Sequence, residues 1–449
     1  MNRTQPIVNF LLAVLLLSSL YTAITFRLGN RWSDFPSIYA SAKMILSGKA
    51  ASIYDLPVQR AEAAKYFPEH QSGAADGPYA LITTVPLGLL PPAPAKLVFD
   101  GTMIVLLATA AVALSEALVL PPRQSLLLIG LMAISGPTFW ILTVSKSVPI
   151  ALCAISLTVS GFRGKRLCVS KESGGGQIFS KNSDLGKTAD LTHDKTADES
   201  SDGIRGGQIF SKKSDLRKTC GPYTGFWFGL CLVRPQEALP FLVFALGARK
   251  YRFIAEAAVV GLGLVLLSFP AFGISGYSAW LDLLSRAGYD PAFASAEVMP
   301  TLKGQLLHLH LSPDRATSFA NTAYLGVLGL LFLLGSRRRS SSTWWRSGII
   351  TAFSLGLAFA AYMHVYDAIL LMPVFCLLLM APSPRAARAL VILSLLAFLM
   401  PLSQAIHEQS MNMESAVNLH FAAITLLGLV ALYSELTANN HDLAALSGD

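Results

Sequence analysis

The chain has 449 residues, 53% hydrophobic and only 14% charged, with a net charge of +8. Soluble proteins carry about 25% charged residues and bury apolar segments of roughly 5–12 residues, whereas many apolar runs here exceed about 18. A soluble α/β enzyme is thereby excluded, and the basic excess, without interleaved aromatics, reads as membrane topology rather than as a nucleic-acid surface.

Basic loops placed on the cytoplasmic side order the elements. Residues 7–26 form an uncleaved signal anchor that runs outward, so 27–78 is an extracytoplasmic loop. Within it lies "RWSDFPSIYASAKMILSGKAASIYD", residues 31–55, with Asp34 just outside the anchor. Ser33 and Asp34 precede a proline, so Asp34 reads either as the cap of a helix over 35–47 or as a carboxylate placed for chemistry. Ile38, Ala42 and Ile45 share one stripe of that helix. "YDLPVQRAEAAKYFPEH" continues as a second amphipathic stretch on the membrane surface, with Tyr39, Tyr54 and Asp55 as scaffold.

Residues 79–95 read as a short interfacial or re-entrant piece, and 97–119 return to Arg123. Two runs, 125–139 and 147–162, are separated by "TVSKSVP", and both flanks are basic. Each is short of the ~20 residues of a full span, which predicts a hairpin of broken helices with Lys146 in the break. The pair 223–233 and 237–247, broken by "RPQ", reads the same way. Arg234 and Glu237 fall in that second break, where intramembrane charges mark a functional site or a buried i, i+3 ion pair. Arginine could hold a phosphate bidentately there.

Between the hairpins, residues 163–222 are polar, with 12 Lys/Arg against 8 Asp/Glu. "GGQIFSKNSDLGKT" at 175–188 recurs there as "GGQIFSKKSDLRKT" at 206–219. Two copies are too few for a solenoid, and the segment reads as a duplicated low-complexity cytoplasmic insert. Residues 253–271 then run outward, 272–316 form a second outer loop and 317–336 return. Spans 343–363, 368–382, 388–406 and 417–434 complete about 8 full spans. The chain thus divides into a membrane half at 1–162, the insert at 163–222, a second half at 223–434 and a cytoplasmic tail at 435–449. His364, Tyr366 and Asp367 fall at an outer edge, on the side of Asp34. A lone interfacial histidine is either structural or a donor to an anionic headgroup.

His308 and His310 alternate as in a strand or short loop and lack a third metal ligand. The five cysteines show no metal or disulfide spacing. Neither a P-loop nor a dinucleotide-binding motif is present, which excludes an ATP-driven pump and a doubly wound nucleotide-sugar enzyme.

Four segments, in order, resemble one family. "DFPSIYASAKMILSGKAASIYD" is similar to the D-F-x-x-Y…G…Y-D signature of glycosyltransferase family 87, and "PYALITTVPLGLLPPAPAKLVF" to its Y-P-P…P-L-x-L-L-P segment. "LVRPQEALPFLVFAL…RKYR" is similar to its K-P-Q…R-R-R segment, and "MHVYDAILLMPV" to its H-x-Y-D-x-x-L-L motif. The resemblance implies a GT-C-like all-α polytopic membrane protein with a helical first outer loop. It also implies an inverting, metal-independent and cofactor-free hexosyltransferase that moves a mannose-like sugar from a polyprenyl phosphate to an extracytoplasmic lipid or glycan. Asp34 matches the family's catalytic base; Arg234 and His364 would hold the donor phosphate, with Lys146, Glu237, Tyr366 and Asp367 as support. Three departures stand out: Ser145–Lys146 where the family has Gly-Gln, "GPYA" for Y-P-P, and the insert. The implied location is a bacterial-type plasma membrane, with both termini cytoplasmic and the site outside. A carrier or flippase for lipid-linked sugars is the competing class, although such transporters show inverted repeats and none is seen here.

Overall fold

A computed structural model describes residues 5–28, 33–68, 76–144, 146–173, 223–285, 299–339, 341, 343–360, 363–379, 388–396, 421–430 and 432–433. All regular structure among them is helical. In order these are α1 (Gln5–Leu28), α2 (Phe35–Leu46), α3 (Leu56–Ala64), α4 (Pro78–Leu81), α5 (Pro92–Ala117), α6 (Pro122–Ile134), α7 (Gly136–Val144) and α8 (Val148–Ser173). There follow α9 (Thr224–Gly229), α10 (Pro235–Gly247), α11 (Tyr251–Ser285), α12 (Leu302–His308), α13 (Pro313–Arg337), α14 (Trp344–Phe359) and α15 (Met372–Leu379). The 3-10 segments Ile82–Leu89, Leu230–Val233 and Val365–Leu371 link them. Helices close their own backbone hydrogen bonds, as apolar segments facing lipid must.

Among the described residues four helices are long and apolar enough to cross a membrane, within α1, α5, α11 and α13. The chain is a membrane protein. Expected spans differ from these in extent. Residues 343–363 give only the 16-residue α14, and 368–382 give a 3-10 segment followed by the 8-residue α15. The run 388–406 is described only as far as 396, and 417–434 only over 421–430 and 432–433. Helix α11 does not stop at 271: Gly273 (φ 57°, ψ −171°) bends it, and helix resumes to Ser285, taking up part of the expected outer loop. Only glycine adopts that φ and ψ without strain.

Both breaks lie where proline and charge interrupt the apolar runs. The first hairpin is α6, α7 and α8, with Lys146 between the last two; α8 then runs on to Ser173, into the expected insert. The repeats at 175–188 and 206–219 lie outside the described residues. The second break is at Arg234, whose φ −134° and ψ 77° leave helical space between the Leu230–Val233 turn and α10. His308 ends a helix and His310 sits in a turn with φ 59°, so the strand-like reading of "HLHL" is incorrect. Leu302–His308 is capped by the Thr301 side chain, which accepts from the Gly304 N–H, and this favours helix over strand.

Packing places the second break. Helices α10 and α13 cross at two glycines: a Cβ at Gly247 would stand 2.1 Å from the Phe332 carbonyl oxygen, and one at Gly335 2.1 Å from that of Phe244. Small residues permit such close approach where lipid offers no hydrophobic drive between helices. Beside them Phe228, Phe241, Phe253 and Trp344 interlock, with ring centroids 4.9–5.8 Å apart. Helix α1 is tied to α5 by a polar cluster: Lys96 Nζ lies 2.6 Å from Asp100 Oδ2, and the Tyr21 hydroxyl donates to the same oxygen.

The described part of the loop expected outside, after α1, is folded and packed. Helix α2 is largely buried, and the Tyr39 hydroxyl donates to the Leu90 carbonyl at 2.8 Å. Gln59 of α3, wholly buried, donates to Ser41 Oγ at 2.9 Å. Asp55 caps α3 by accepting from Val58, in keeping with its scaffold reading.

Candidate functional site

The site begins at the head of α2. Asp34 occupies the N-cap position: its carbonyl accepts from Ser37 and Ile38 N–H at 3.0 and 3.1 Å. Its carboxylate makes no capping bond. Ser33 supplies a local acceptor instead, its hydroxyl oxygen taking the Phe35 N–H at 3.2 Å. The Asp34 carboxylate turns to the break in the first hairpin, where it forms an ion pair with Lys146 Nζ. Both side chains are nearly buried, 13% and 9% exposed. With the first N–H groups of α2 met by Ser33 and by the Asp34 carbonyl, the Asp34 carboxylate, turned to a buried cation, is not arranged as a cap.

Arg234 stands at the second break, 6% exposed. Its Nη1 donates to Glu237 Oε1 at 2.9 Å and to Asp367 Oδ1 at 2.7 Å. Nη2 lies 3.8 Å from Asp76 Oδ1, and Nε, buried, has no hydrogen-bond partner among the described residues. The i, i+3 pair with Glu237 therefore exists, but it occupies one corner of the guanidinium only. The Nε–Nη2 edge makes no hydrogen bond among the described residues, and it is the edge from which arginine can grip an oxyanion with two parallel bonds.

Asp367 is fully buried and serves two masters. One oxygen takes Arg234; the other accepts the His364 backbone N–H at 2.8 Å, closing the turn that starts Val365–Leu371. The His364 ring stacks on Tyr366, centroids 4.8 Å apart. His364 lies in the non-helical stretch after α14, beyond the spanning segments. There burial, with the Lys146 and Arg234 cations, pushes its imidazole well below the ordinary value. It is a neutral hydrogen-bonding group, not a standing cation.

Tyr366 joins the two halves. Lys146 Nζ lies 5.4 Å and the Arg234 guanidinium carbon 5.9 Å from the centre of its ring, within the reach of cation–π attraction. Asp34, Lys146, Arg234, Glu237, His364, Tyr366 and Asp367, far apart in sequence, thus form one cluster beside a cleft. The cleft encloses about 380 Å³ including its open mouth, and Lys146, Arg234 and Tyr366 line it.

Three further lining residues were not singled out from the sequence: Asp76, Tyr79 and Trp280. Tyr54, in the loop before α3, fixes the first by donating to the Asp76 carbonyl at 2.9 Å, and burial holds its phenol protonated. Asp76 immediately precedes "GPYA", a departure from the Y-P-P pattern that could have drawn attention to it. Nothing in the apolar run around Trp280 signals its position.

Among known families, the model of glycosyltransferase family 87 matches residues 213–359. That segment holds α9 to α14 and Arg234, whereas Asp34, Lys146 and His364 lie outside it. No curated protein and no solved structure matches the chain.

Proposed function

We propose that this chain, a membrane protein in which residues 213–359 carry the glycosyltransferase family 87 pattern, transfers a hexose from a polyprenyl-phosphate donor to an extracytoplasmic lipid or glycan. The observation that carries the reading is the pairing of Asp34 with Lys146, which shares a cleft lining with Arg234. A general base for this chemistry must be ionised, within reach of an acceptor hydroxyl and close to the cations that receive the departing phosphate. Lys146 and Arg234 line one cleft, and Asp34 is paired to that Lys146.

In the proposed step the acceptor hydroxyl attacks the anomeric carbon as Asp34 takes its proton. The bond from that carbon to the phosphate oxygen breaks, and polyprenyl phosphate leaves from the opposite face with the electron pair. Lys146, released from Asp34 as the carboxylate becomes protonated, and the Nε–Nη2 edge of Arg234 neutralise the leaving phosphate. His364, being neutral, donates a hydrogen bond to it. A lipid phosphate carries little charge, and two protein cations suffice for it, which is the basis for a metal-independent mechanism. Glu237 and Asp367 hold Arg234, and Tyr366 supports both cations. The inverted configuration, the bacterial-type plasma membrane and the outward-facing site belong to the same proposal.

The test is a membrane assay with labelled polyprenyl-phosphate mannose and glucose, following label into extracted lipid and glycan while a parallel vesicle experiment follows movement of the donor across the bilayer. Transfer of label supports the reading. Accelerated translocation without transfer identifies a carrier instead.

A further inference from the structure

Two polar groups in the cleft have no use in the phosphate-handling step. The Tyr79 hydroxyl is buried and has no hydrogen-bond partner among the described residues. The Asp76 side chain, 12% exposed, approaches Arg234 only to 3.8 Å, outside hydrogen-bonding distance. Leaving a buried polar group such as the Tyr79 hydroxyl unpaired is costly, and the Asp76 carboxylate beside it is held by a long ion pair with Arg234 and no hydrogen bond among the described residues, so their placement points to a ligand that completes them.

The chemistry of Asp76 narrows the choice. An ionised carboxylate only accepts hydrogen bonds, so its ligand must donate them and cannot itself be an anion. It therefore repels the phosphate that Arg234 attracts. Beside it stand Tyr79 and Trp280, edge to face with ring centroids 5.5 Å apart, forming an aromatic wall at the outer end of α11. A neutral ligand with several hydroxyls and one apolar face fits a carboxylate, a phenol and an aromatic wall; a hexopyranose is such a molecule.

We infer that Asp76, Tyr79 and Trp280 form the subsite for the hexosyl ring of the donor, with Asp76 accepting from two ring hydroxyls, Tyr79 paired to a third polar group and Trp280 packed on the ring. The inference rests on the donor proposed above, and it makes these residues the determinants of which sugar is accepted. In this arrangement the ring lies beside Arg234, in the cleft that Lys146 also lines.

The test uses the purified full-length protein in lipid nanodiscs and calorimetric titration with three probes: farnesyl phosphate mannose, farnesyl phosphate glucose and farnesyl methyl phosphate. The last is a diester of the same charge without a sugar. The wild type binds at least one sugar-bearing probe about tenfold or more tighter than the methyl diester, the gain of a single charge-assisted hydrogen bond. Asp76→Asn and Tyr79→Phe lower that ratio toward one; Tyr79→Phe leaves the affinity for the methyl diester unchanged, and Asp76→Asn, which removes a carboxylate that repels the phosphate, keeps or raises it. Tyr79→Phe removes one oxygen from a buried ring and keeps its shape, which guards against a folding artefact. Equal wild-type binding of all three probes overturns the subsite and spares the lipid-phosphate reading. A parallel loss for all probes in both variants also overturns it, because the residues then act by holding Arg234. Failure of every probe to bind overturns the donor reading, and the subsite with it.

Discussion

Replacing Arg234 by methionine tests whether the guanidinium is the keystone of the second break. The change leaves Asp367, fully buried, and Glu237, 2% exposed, without the cation they share. Breaking a buried ion pair by removing one partner costs about 3–5 kcal/mol. An independent route gives a similar figure: keeping one carboxyl of ordinary pKa near 4 protonated at pH 7 costs about 4 kcal/mol. Arg234→Met is therefore expected to lose about 3–5 kcal/mol in equilibrium unfolding in mixed micelles at pH 7. The sign of its pH dependence follows. Without the cation the buried carboxyls bind protons more readily in the folded than in the unfolded state, so the variant regains up to about 1.4 kcal/mol per pH unit between pH 7 and pH 5. Arg234→Met with Asp367→Asn should recover part of the loss, as contacting sites do not add. A loss below about 1 kcal/mol, or no gain on acidification, refutes the network as described.

Gly335→Leu should force α13 away from α10, where the Phe244 carbonyl leaves no room, and cost more than about 1–3 kcal/mol of overpacking because backbone cannot yield; unfolding midpoints check it. Lys146→Met leaves the nearly buried Asp34 without its cation and the leaving phosphate with one cation fewer, so the rate of transfer should fall, which the labelled-donor assay reads directly. For His364, held neutral in the fold, stability should decline as pH falls below about 6.5, where the unfolded chain takes up a proton. His364→Gln should flatten that decline and keep donor binding, whereas His364→Ala should weaken it.

Much of the scaffold was legible because proline and charge are costly inside apolar runs. The breaks at Lys146 and Arg234 follow directly from "TVSKSVP" and "RPQ", and Pro36 after Ser33–Asp34 marks the start of α2. Beyond the i, i+3 pair of Arg234 with Glu237, the pattern could not supply the partner of each charge. Asp34 reads equally well as a cap, and only three-dimensional packing turns its carboxylate toward Lys146, 112 positions along the chain. The ion pair with Asp34 accordingly gives Lys146 a direct part in the proposed step rather than a supporting one. Span ends were less legible, since hydropathy alone cannot tell that α11 bends at Gly273 and continues, or that α14 ends at Phe359. Asp76, Tyr79 and Trp280 were hard to read for a similar reason: an acid and a phenol at "GPYA" acquire meaning only on a wall shared with an indole about 200 residues on.

The central claim is that Asp34 removes the acceptor proton. Label transfer from polyprenyl-phosphate mannose or glucose should be measured in membranes bearing the wild type, Asp34→Asn and Asp34→Glu at matched protein levels. The account predicts that Asp34→Asn loses about 10²–10⁴-fold in rate, the usual contribution of a general base, while still binding donor, and that Asp34→Glu keeps a measurable fraction. Transfer by Asp34→Asn at the wild-type rate would contradict it.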